Sequence, residues 1–366
     1  MIRLMIAGGG TGGHLFPGVA VAEEFIRRDQ GSKVLFVGTG RPVEAAVLGP
    51  RGLENRKIKA AGIKGKGVVG KLRSLAALPV GMFQSMGLIR NFQPDVVLGV
   101  GGYVSGPVGV AAKLMGKTTA IHEQNSIPGL TNRLLGKLVD LIFISFESSA
   151  KFFPAEKTYL TGNPIRQEIA SIAGRSRDFT ADGFTLLVGG GSQGAHRVNE
   201  AALEAAEILK SKVSGFRVIH QTGEADLEMV REAYRRMGID AEVQAFIRDM
   251  ERVYQEADLA VLRAGALTIA EVSAAGLPAI YIPLPTAADN HQEINAQSLM
   301  ERNAADMIIQ RDLSGSVLAE RIMNLINEPN ALAAMSENAL KTALPHSAER
   351  ICDLCEAYLA GRGRHV

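Results

Sequence analysis

Two glycine-rich segments carry residue types that bind phosphate through backbone N–H groups. The first runs from Gly8 to His14, and the second, Gly189 to Gly194, begins 181 positions later (189 minus 8). Each follows a short apolar run and precedes a stretch of helical character, which predicts a strand, a tight turn and a helix start. The chain of 366 residues therefore divides into two similar halves, each with a predicted ligand site.

Both segments also match the spacing of a dinucleotide-binding loop, so a nicotinamide or flavin oxidoreductase is one alternative. That fingerprint needs an acidic residue about 20 positions further on, at the end of the second strand, to bind the ribose. The second strands here end at Val37-Gly38-Thr39-Gly40 and His220-Gln221-Thr222-Gly223, which contain no carboxylate. This disfavours the oxidoreductase, and the repeated Thr-Gly supports a duplication.

A third segment with binding potential follows the apolar run that ends at Leu262. Its predicted helix start presents three backbone N–H groups, those of Ala266, Leu267 and Thr268. These groups can bind a diphosphate, and Glu271 can accept both hydroxyls of a ribose. The alternative makes Glu271 an ordinary acid that interacts with the helix dipole. The nearby loop from Gly189 to Ser192 favours a nucleoside diphosphate, because open α/β sheets bind ligands at the carboxyl ends of their strands.

The elements that position these loops are strand-length apolar runs separated by segments of helical period, which predict α/β domains with parallel sheets. The predicted strands are 34–37, 96–98, 119–122, 141–144 and 158–160, then 184–188, 216–220, 259–262, 279–282 and 306–309. Glycine and proline in Thr161-Gly162-Asn163-Pro164 place the boundary there. We expect domains at 1–163 and 164–344, with a helix in 345–366 packed back on the first.

Composition excludes several classes of function. Forty basic and 38 acidic residues give a net charge of +2, and aromatic residues make up 5%, which argues against a nucleic-acid partner. The apolar stretch after Met1 is too short for a signal peptide, and no apolar run approaches a spanning helix, so a cytoplasmic location is expected. The pair Cys352 and Cys355 lies in a helical segment and is interpreted as structural rather than metal-binding or redox-active.

The stretch from Lys64 to Phe83 differs from the rest of the chain. Four cations precede bulky apolar residues at near-helical spacing, namely Leu72, Leu75, Leu78, Met82 and Phe83. Such an element binds an anionic bilayer peripherally. The alternative is a buried helix preceded by a glycine-rich loop, and the residues alone do not separate the two.

Taken together, these motifs resemble the MurG family, bacterial transferases that add N-acetylglucosamine to undecaprenyl-pyrophosphoryl-MurNAc-pentapeptide (lipid I). The resemblance spans nearly the whole chain and rests on the motifs at 9–14, 101–107, 122–125, 161–164, 190–195 and 263–271. It implies a GT-B fold of two Rossmann-like domains facing a cleft, with the acceptor on the first and UDP-GlcNAc on the second. It also implies a role in peptidoglycan synthesis, cell shape and cell division, at the cytoplasmic face of the plasma membrane and beside other cell-wall synthesis proteins.

The resemblance also implies roles for individual residues toward the donor. It places Gly191, Ser192 and the helix start Ala266, Leu267 and Thr268 on the diphosphate, Glu271 on the ribose, and Ile247 beside the uracil. Arg166 lies near the nucleotide, and Asn125, His291 and Gln292 match positions that contact the sugar. The chain departs from the family pattern at Ala264, where serine is frequent, and at His291, where a second glutamine is common.

On the acceptor side, the glycine loops would bind the lipid pyrophosphate through backbone N–H groups. The residues implied are Thr11, Gly12, Gly13, His14, Gly102, Tyr103 and Ser105. This places the acceptor close to the bilayer segment and raises the expectation of membrane contact through Leu72, Leu75, Leu78 and Phe83.

Formation of a β-linkage from an α-linked UDP sugar inverts the anomeric carbon, so one general base is sufficient. His14 is the leading candidate, because histidine titrates near neutral pH, although it could instead only position the acceptor. His122 and Glu123 are the other candidates. The helix dipole, loop amides, Arg166 or Arg263 would stabilise the leaving UDP. No Asp-x-Asp motif is present, so neither a metal nor a cofactor is expected.

Two rival functions remain open. A UDP-GlcNAc 2-epimerase on the same architecture would use the nucleotide site without a lipid acceptor, and the cationic apolar segment argues against it. A non-catalytic nucleotide-sugar-binding protein is the second rival, which the set of polar residues facing the expected cleft disfavours.

Overall fold

Each half of the chain folds around one parallel β-sheet. The computed structural model describes residues 1–9, 12–60, 68–179 and 183–362, without side-chain detail for 68–78, 329 and 362. Two units result: unit 1 comprises Met1–Arg166 with His346–Val366, and unit 2 comprises Gln167–Pro345. The division falls close to the expected boundary at 163 and 164.

Unit 1 contains seven strands in the order β3-β2-β1-β4-β5-β6-β7. The strands are β1 (Arg3–Ala7), β2 (Lys33–Gly38), β3 (Glu54–Lys57), β4 (Val96–Gly99), β5 (Thr118–Glu123), β6 (Leu141–Ile144) and β7 (Thr158–Leu160). Its helices are α1 (Gly12–Arg28), α2 (Pro42–Leu48), α3 (Val68–Phe92), α4 (Ser105–Leu114) and α5 (Leu130–Leu135), and the C-terminal α14 (Ser347–Arg362). The strand pairs along this sheet are all parallel, which confirms the expected α/β class.

Unit 2 repeats this plan with six strands in the order β10-β9-β8-β11-β12-β13. The strands are β8 (Phe184–Gly189), β9 (Phe216–Gln221), β10 (Asp240–Gln244), β11 (Leu259–Leu262), β12 (Ala279–Tyr281) and β13 (Asp306–Met307). The helices are α6 (Gln167–Ser171), α7 (His196–Leu209), α8 (Leu227–Met237), α9 (Met250–Glu256), α10 (Ala266–Ala274), α11 (His291–Met300), α12 (Gly315–Asn327) and α13 (Pro329–Thr342).

The central strand β1 shows why its residues form a buried strand. Side chains alternate between the two faces of a strand, and both faces of a doubly wound sheet are covered by helices. Leu4 and Ile6 pack in one core with residues of α1 and α14, while Met5 and Ala7 pack in another with residues of α3 and α4. An uninterrupted apolar run therefore fits this position.

The strand order places both glycine loops where ligands bind in open sheets. Ala7, the last residue of β1, pairs with Val37 on one side and Gly99 on the other. Gly189 at the end of β8 likewise lies between Gln221 and Leu262. β1 lies between β2, which follows it directly in the chain, and β4, which comes later, and β8 lies in the same way between β9 and β11. The carboxyl end of each central strand is therefore the topological switch point of its sheet.

The C-terminal helix α14 packs within unit 1 against α1. Ile351, Cys352 and Cys355 are buried in the core that α1 shares, and Arg28 binds the carboxylate of Asp353 at 2.7 Å. Burial raises the pKa of the Cys355 thiol to about 12 and also raises that of Cys352. Among the described residues, none of the helices has the length and apolar character needed to span a membrane.

Candidate active site

The loops after β1 and β4 pack together so closely that they require glycine. A Cβ atom at Gly8 would lie 2.3 Å from a methyl group of Val100, and one at Gly102 would lie 3.1 Å from the Gly9 carbonyl oxygen. Gly102 also has a φ of 78°, in the left-handed region. The helix α1 that follows carries no acidic residue in its first turn, so its N-terminus suits an anion. Thr11 lies outside the described residues.

The Ser105 side chain stabilises the loop after β4. Its hydroxyl is fully buried, accepts a hydrogen bond from Gly101 N–H at 3.1 Å, and lies 2.8 Å from the carbonyl oxygens of Ala7 and Gly101. These internal bonds revise the expectation that Ser105 contacts the acceptor, since they give its hydroxyl a positioning role. Tyr103, about half exposed, remains available for a ligand.

His14 projects from the first turn of α1 and is half-buried. Its Nδ1 lies 3.0 Å from Oε1 of Gln124, a residue that follows β5. His122 is buried beneath it, and desolvation lowers the pKa of His122 to about 4. A ring that is buried, neutral and bonded to a backbone carbonyl at Gly162 is poorly placed to act as the base. The geometry favours His14.

Glu123 is buried and its carboxylate is saturated with donors. Oε1 accepts hydrogen bonds from the N–H and the side-chain amide of Asn125 at 3.0 and 3.3 Å. Oε2 accepts from Gly129 N–H at 3.2 Å and from Asn132 Nδ2 at 2.9 Å. These four bonds make Glu123 the residue that orients Asn125, and they leave its carboxylate little capacity to accept a substrate proton.

Arg166 also belongs to the neighbourhood of α1. Its guanidinium lies 5.9 Å from the ring centroid of Phe16, two residues after His14, in the range of a cation–π contact. Arg166 and Asn125 both lie in unit 1, so their contact with a donor remains a prediction.

In unit 2, the loop after β8 is built around glycines with positive φ. Gly191 and Gly194 have φ of 87° and 75°. A Cβ atom at Gly194 would lie 2.0 Å from the carbonyl oxygen of Thr222, and one at Gly190 would lie 2.2 Å from the Ala195 nitrogen. The open side of Gly191 and the exposed Ser192 make this loop suitable for a phosphate.

Sequence reasoning missed one residue that holds this loop in place. Gln221, the last residue of β9, donates from Nε2 to the Gly191 carbonyl oxygen at 3.0 Å, and its Oε1 accepts from Ile247 N–H at 2.9 Å. The sequence did offer a signal, namely a polar residue at the carboxyl end of the strand next to the glycine loop. Gln221 thus links the predicted diphosphate loop to the predicted uracil contact.

The helix α10 presents its N-terminus without a side-chain cap. Gly265 is the N-cap residue, and no acid occupies the first turn, so the amides of Ala266, Leu267 and Thr268 suit an anion. Glu271 is buried on the same helix and accepts from the Tyr254 hydroxyl at 3.4 Å. Arg263 instead binds the carbonyls of Ile282 and Pro283 and the side chain of Gln310, which makes it a structural cation.

Two of the three residues predicted to contact the sugar, His291 and Gln292, lie at the start of α11. Oε1 of Gln292 accepts from Leu284 N–H at 3.0 Å, and His291 Nδ1 donates to the Ala288 carbonyl oxygen at 2.6 Å. These bonds tie both side chains to the segment before α11. Ala264 is fully buried, so the departure from serine places a methyl group in the protein interior.

Comparison with known proteins fits this geometry. The chain matches the glycosyltransferase family 28 N-terminal domain over residues 4–144 and the C-terminal domain over 185–351. It is 51% identical over 354 residues to the UDP-N-acetylglucosamine--N-acetylmuramyl-(pentapeptide) pyrophosphoryl-undecaprenol N-acetylglucosamine transferase of Geobacter sulfurreducens, covering 96% of this chain and 97% of that protein. The chain belongs to the MurG family of glycosyltransferases.

Solved structures agree with this membership. The crystal structure of Acinetobacter baumannii MurG is 31% identical with a TM-score of 0.79, over 98% of this chain and all of that one. The GT-B fold class is thereby confirmed. A UDP-N-acetylglucosamine 2-epimerase structure matches with a TM-score of 0.68 at 13% identity, over 98% of this chain and 96% of that one, which shows a shared fold alone.

The MurG-family chain also exposes apolar side chains in unit 1. Phe83 on α3 is 71% exposed, while Met82, Met86 and Ile89 of the same helix pack on the sheet. The side chains of Leu72, Leu75 and Leu78 lie outside the described residues. A second exposed set, which sequence reasoning missed, consists of Leu130, Leu134 and Leu138, spaced every four residues beside Arg133 and Lys137.

Proposed function

We propose that this chain transfers N-acetylglucosamine from UDP-GlcNAc to the C4 hydroxyl of MurNAc in undecaprenyl-pyrophosphoryl-MurNAc-pentapeptide, a step of peptidoglycan synthesis. The observation that carries the proposal is the 51% identity over 96% of the chain to a transferase of that name. Support also comes from the glycine loops, one at the switch point of the sheet in each unit, and from His14 in the first turn of the helix that follows the loop of unit 1.

Unit 2 binds the donor in this proposal. The Gly191 loop and the uncapped start of α10 bind the diphosphate with backbone N–H groups, and Glu271 binds the ribose. Ile247 contacts the uracil, while Gln292, His291 and Asn125 contact the sugar. Charge that develops on the departing UDP is stabilised by the same amides and by Arg166.

Unit 1 binds the acceptor and supplies the base. The N-terminal turn of α1 at Gly12 and Gly13 and the loop at Gly102 bind the pyrophosphate, and Tyr103 follows Gly102. His14 removes the proton of the C4 hydroxyl while its oxygen attacks the anomeric carbon from the side opposite UDP, which inverts the configuration. The step needs no metal, and we expect full activity in excess chelator.

The enzyme acts as a peripheral protein at the cytoplasmic face of the plasma membrane. Exposed Phe83 and the cationic segment that precedes it in the sequence support contact with an anionic bilayer, and exposed Leu130 and Leu134 of α5 are a second apolar set in unit 1. The polyprenyl chain of the acceptor lies in the same membrane, so the enzyme binds its acceptor at the membrane surface.

The test measures UDP release from UDP-GlcNAc with and without a short-chain analogue of the acceptor. Release that depends on the acceptor supports the transferase. Formation of UDP-ManNAc without acceptor would instead identify an epimerase, and binding without turnover in the presence of acceptor would identify a binding protein.

A further inference from the structure

A continuous line of hydrogen bonds within unit 1 joins His14 to the backbone of Gly162. Gln124 Oε1 lies 3.0 Å from His14 Nδ1, and Gln124 Nε2 lies 2.9 Å from His122 Nδ1. His122 Nε2 lies 2.9 Å from the Gly162 carbonyl oxygen. The side chain of Gln124 is therefore the only link in this line between the two imidazole rings.

The direction of each bond follows from the groups at its ends. A carbonyl oxygen only accepts, so Nε2 of His122 carries the proton that bonds Gly162. Because burial lowers the pKa of His122 to about 4, this ring is neutral at physiological pH and its Nδ1 can only accept. The amide nitrogen of Gln124 must then be the donor to it.

Two further contacts establish the orientation of the Gln124 amide independently. Its Nε2 lies 3.0 Å from the Val100 carbonyl oxygen and 3.2 Å from that of His122. A flipped amide would direct its oxygen at two carbonyl oxygens and at the ring lone pair. Oε1 of Gln124 therefore faces His14, and only a proton on Nδ1 of His14 can complete that bond.

We propose that Gln124 is a positioning residue that holds neutral His14 in the tautomer protonated on Nδ1, with the lone pair on Nε2. The proposal deepens the proposed function and rests on it. In the transfer step, the proton of the C4 hydroxyl moves to Nε2 and the oxygen bonds the anomeric carbon. The bond from that carbon to the diphosphate oxygen breaks, its electron pair leaves with UDP, and the imidazolium returns the proton to solvent.

Gly101 completes this arrangement. A Cβ atom there would lie 2.8 Å from Nδ1 and 3.0 Å from Cε1 of His14, so glycine at this position lets the Nδ1 edge of the ring meet Gln124. The partner is a neutral amide rather than the carboxylate of a Ser-His-Asp triad, so it orients the ring without strongly favouring the imidazolium.

The first test is ¹⁵N NMR of the full-length protein labelled at histidine, with His14 assigned by comparison with a His14→Gln variant. We expect the signals of a ring protonated on Nδ1 in the wild type, and a loss of this preference in Gln124→Met, which removes both hydrogen-bonding ends. This measurement requires no turnover, so it tests the positioning claim even where the proposed function fails.

Kinetics provide the second test. We expect Gln124→Met to lower kcat about 10- to 100-fold, with the KM for UDP-GlcNAc changed less than about twofold, because a general base contributes about 10²- to 10⁴-fold and a mispositioned base loses part of that. Gln124→Glu places a carboxylate beside His14 and should move the acidic limb of the pH profile of kcat upward by about one unit or more.

The control is Ser145→Ala. The Ser145 hydroxyl lies 3.4 Å from His122 Nε2, so the variant disturbs the far end of the line and leaves the Gly162 bond in place. We expect unchanged kcat and tautomer. An unchanged His14 spectrum and pH profile in folded Gln124→Met and Gln124→Glu would overturn the proposal, whereas a correct tautomer without acceptor-dependent turnover would refute only the proposed function.

Discussion

Gln221 Nε2 donates to the Gly191 carbonyl oxygen at 3.0 Å, while the other end of the same amide accepts from Ile247 N–H. One side chain therefore sets the distance between the loop expected to bind diphosphate and the residue expected to face uracil. Gly191 has a positive φ, a conformation that glycine adopts without steric cost, and the Gln221 bond contributes to holding the loop in it.

We expect Gln221→Met to weaken UDP binding by up to about 30-fold, since two hydrogen bonds that preorganise the site are lost at roughly 1 kcal/mol each, about 2 kcal/mol in total. Titration calorimetry with UDP checks this. Gln244→Met is the matched control, because the Gln244 side chain donates to Glu242 on the same edge strand. Equal UDP affinity for both variants would show that Gln221 has no role in the donor site.

Glu123→Gln separates positioning from catalysis. The substitution replaces one carboxylate oxygen with an NH2 group, which cannot accept hydrogen bonds from the donors around it. We therefore expect the free energy of unfolding to fall by about 1–3 kcal/mol. We also expect lower kcat with an unchanged pH profile, because the proposed role of Glu123 is to orient Asn125 rather than to accept the substrate proton. Denaturant unfolding and a pH–rate series give the two readouts, and Glu156→Gln, at an exposed position, is the control. Disappearance of a titrating limb would reinstate Glu123 as the base.

Much of the fold could be predicted from the sequence because buried parallel strands are continuous apolar runs. All ten strands predicted from such runs are present with small shifts at their ends, as with β5, and β1 is present as well. The edge strands β3 and β10 were missed. Their sequences, ENRK and DAEVQ, contain no apolar run, because none of their residues is fully buried and apolar side chains are not needed there.

The site was predictable only in part. The glycine loops can be recognised in the sequence, because close packing at these positions leaves no room for a side chain, as at Gly8 beside Val100. The partners of polar side chains cannot be read from spacing. Gln124 meets a residue 110 positions away, and Ser105 turns inward to bind Ala7. Such contacts depend on packing that the sequence does not display.

Two buried histidines should make stability fall in acid. Burial lowers the pKa of His122 to about 4 and that of His220 to about 3, whereas an unfolded histidine titrates near 6.5. Above 6.5 neither state binds these protons. From there down to the folded pKa of each ring only the unfolded chain does, so in that window each ring reduces the free energy of unfolding by up to about 1.4 kcal/mol per pH unit.

We therefore expect His220→Asn to lose less stability than the wild type between pH 7.5 and pH 5, although it starts less stable. Urea unfolding at the two pH values measures the difference. The exposed His346→Asn serves as control and should follow the wild type. Identical losses in the wild type and His220→Asn would contradict the assignment of a neutral buried ring.

A charge at Phe83 tests the proposed contact with the membrane. We expect Phe83→Glu to reduce co-sedimentation with vesicles containing anionic lipids about tenfold, because it removes apolar contact and adds repulsion. Activity on a water-soluble acceptor should stay unchanged. Leu134→Glu tests the second apolar set, and Met229→Glu on α8 of unit 2 is the control. Wild-type vesicle binding by both unit 1 variants would place the membrane contact elsewhere.

The most direct test of the proposed transfer is the product made from radiolabelled UDP-GlcNAc by the wild type and by His14→Ala, with the short-chain acceptor present or omitted. We predict that the wild type, but not His14→Ala, forms a β-1,4-linked disaccharide on the acceptor, and that His14→Ala still binds UDP. Near-normal transfer by His14→Ala, or conversion of UDP-GlcNAc by the wild type without acceptor, would contradict this prediction.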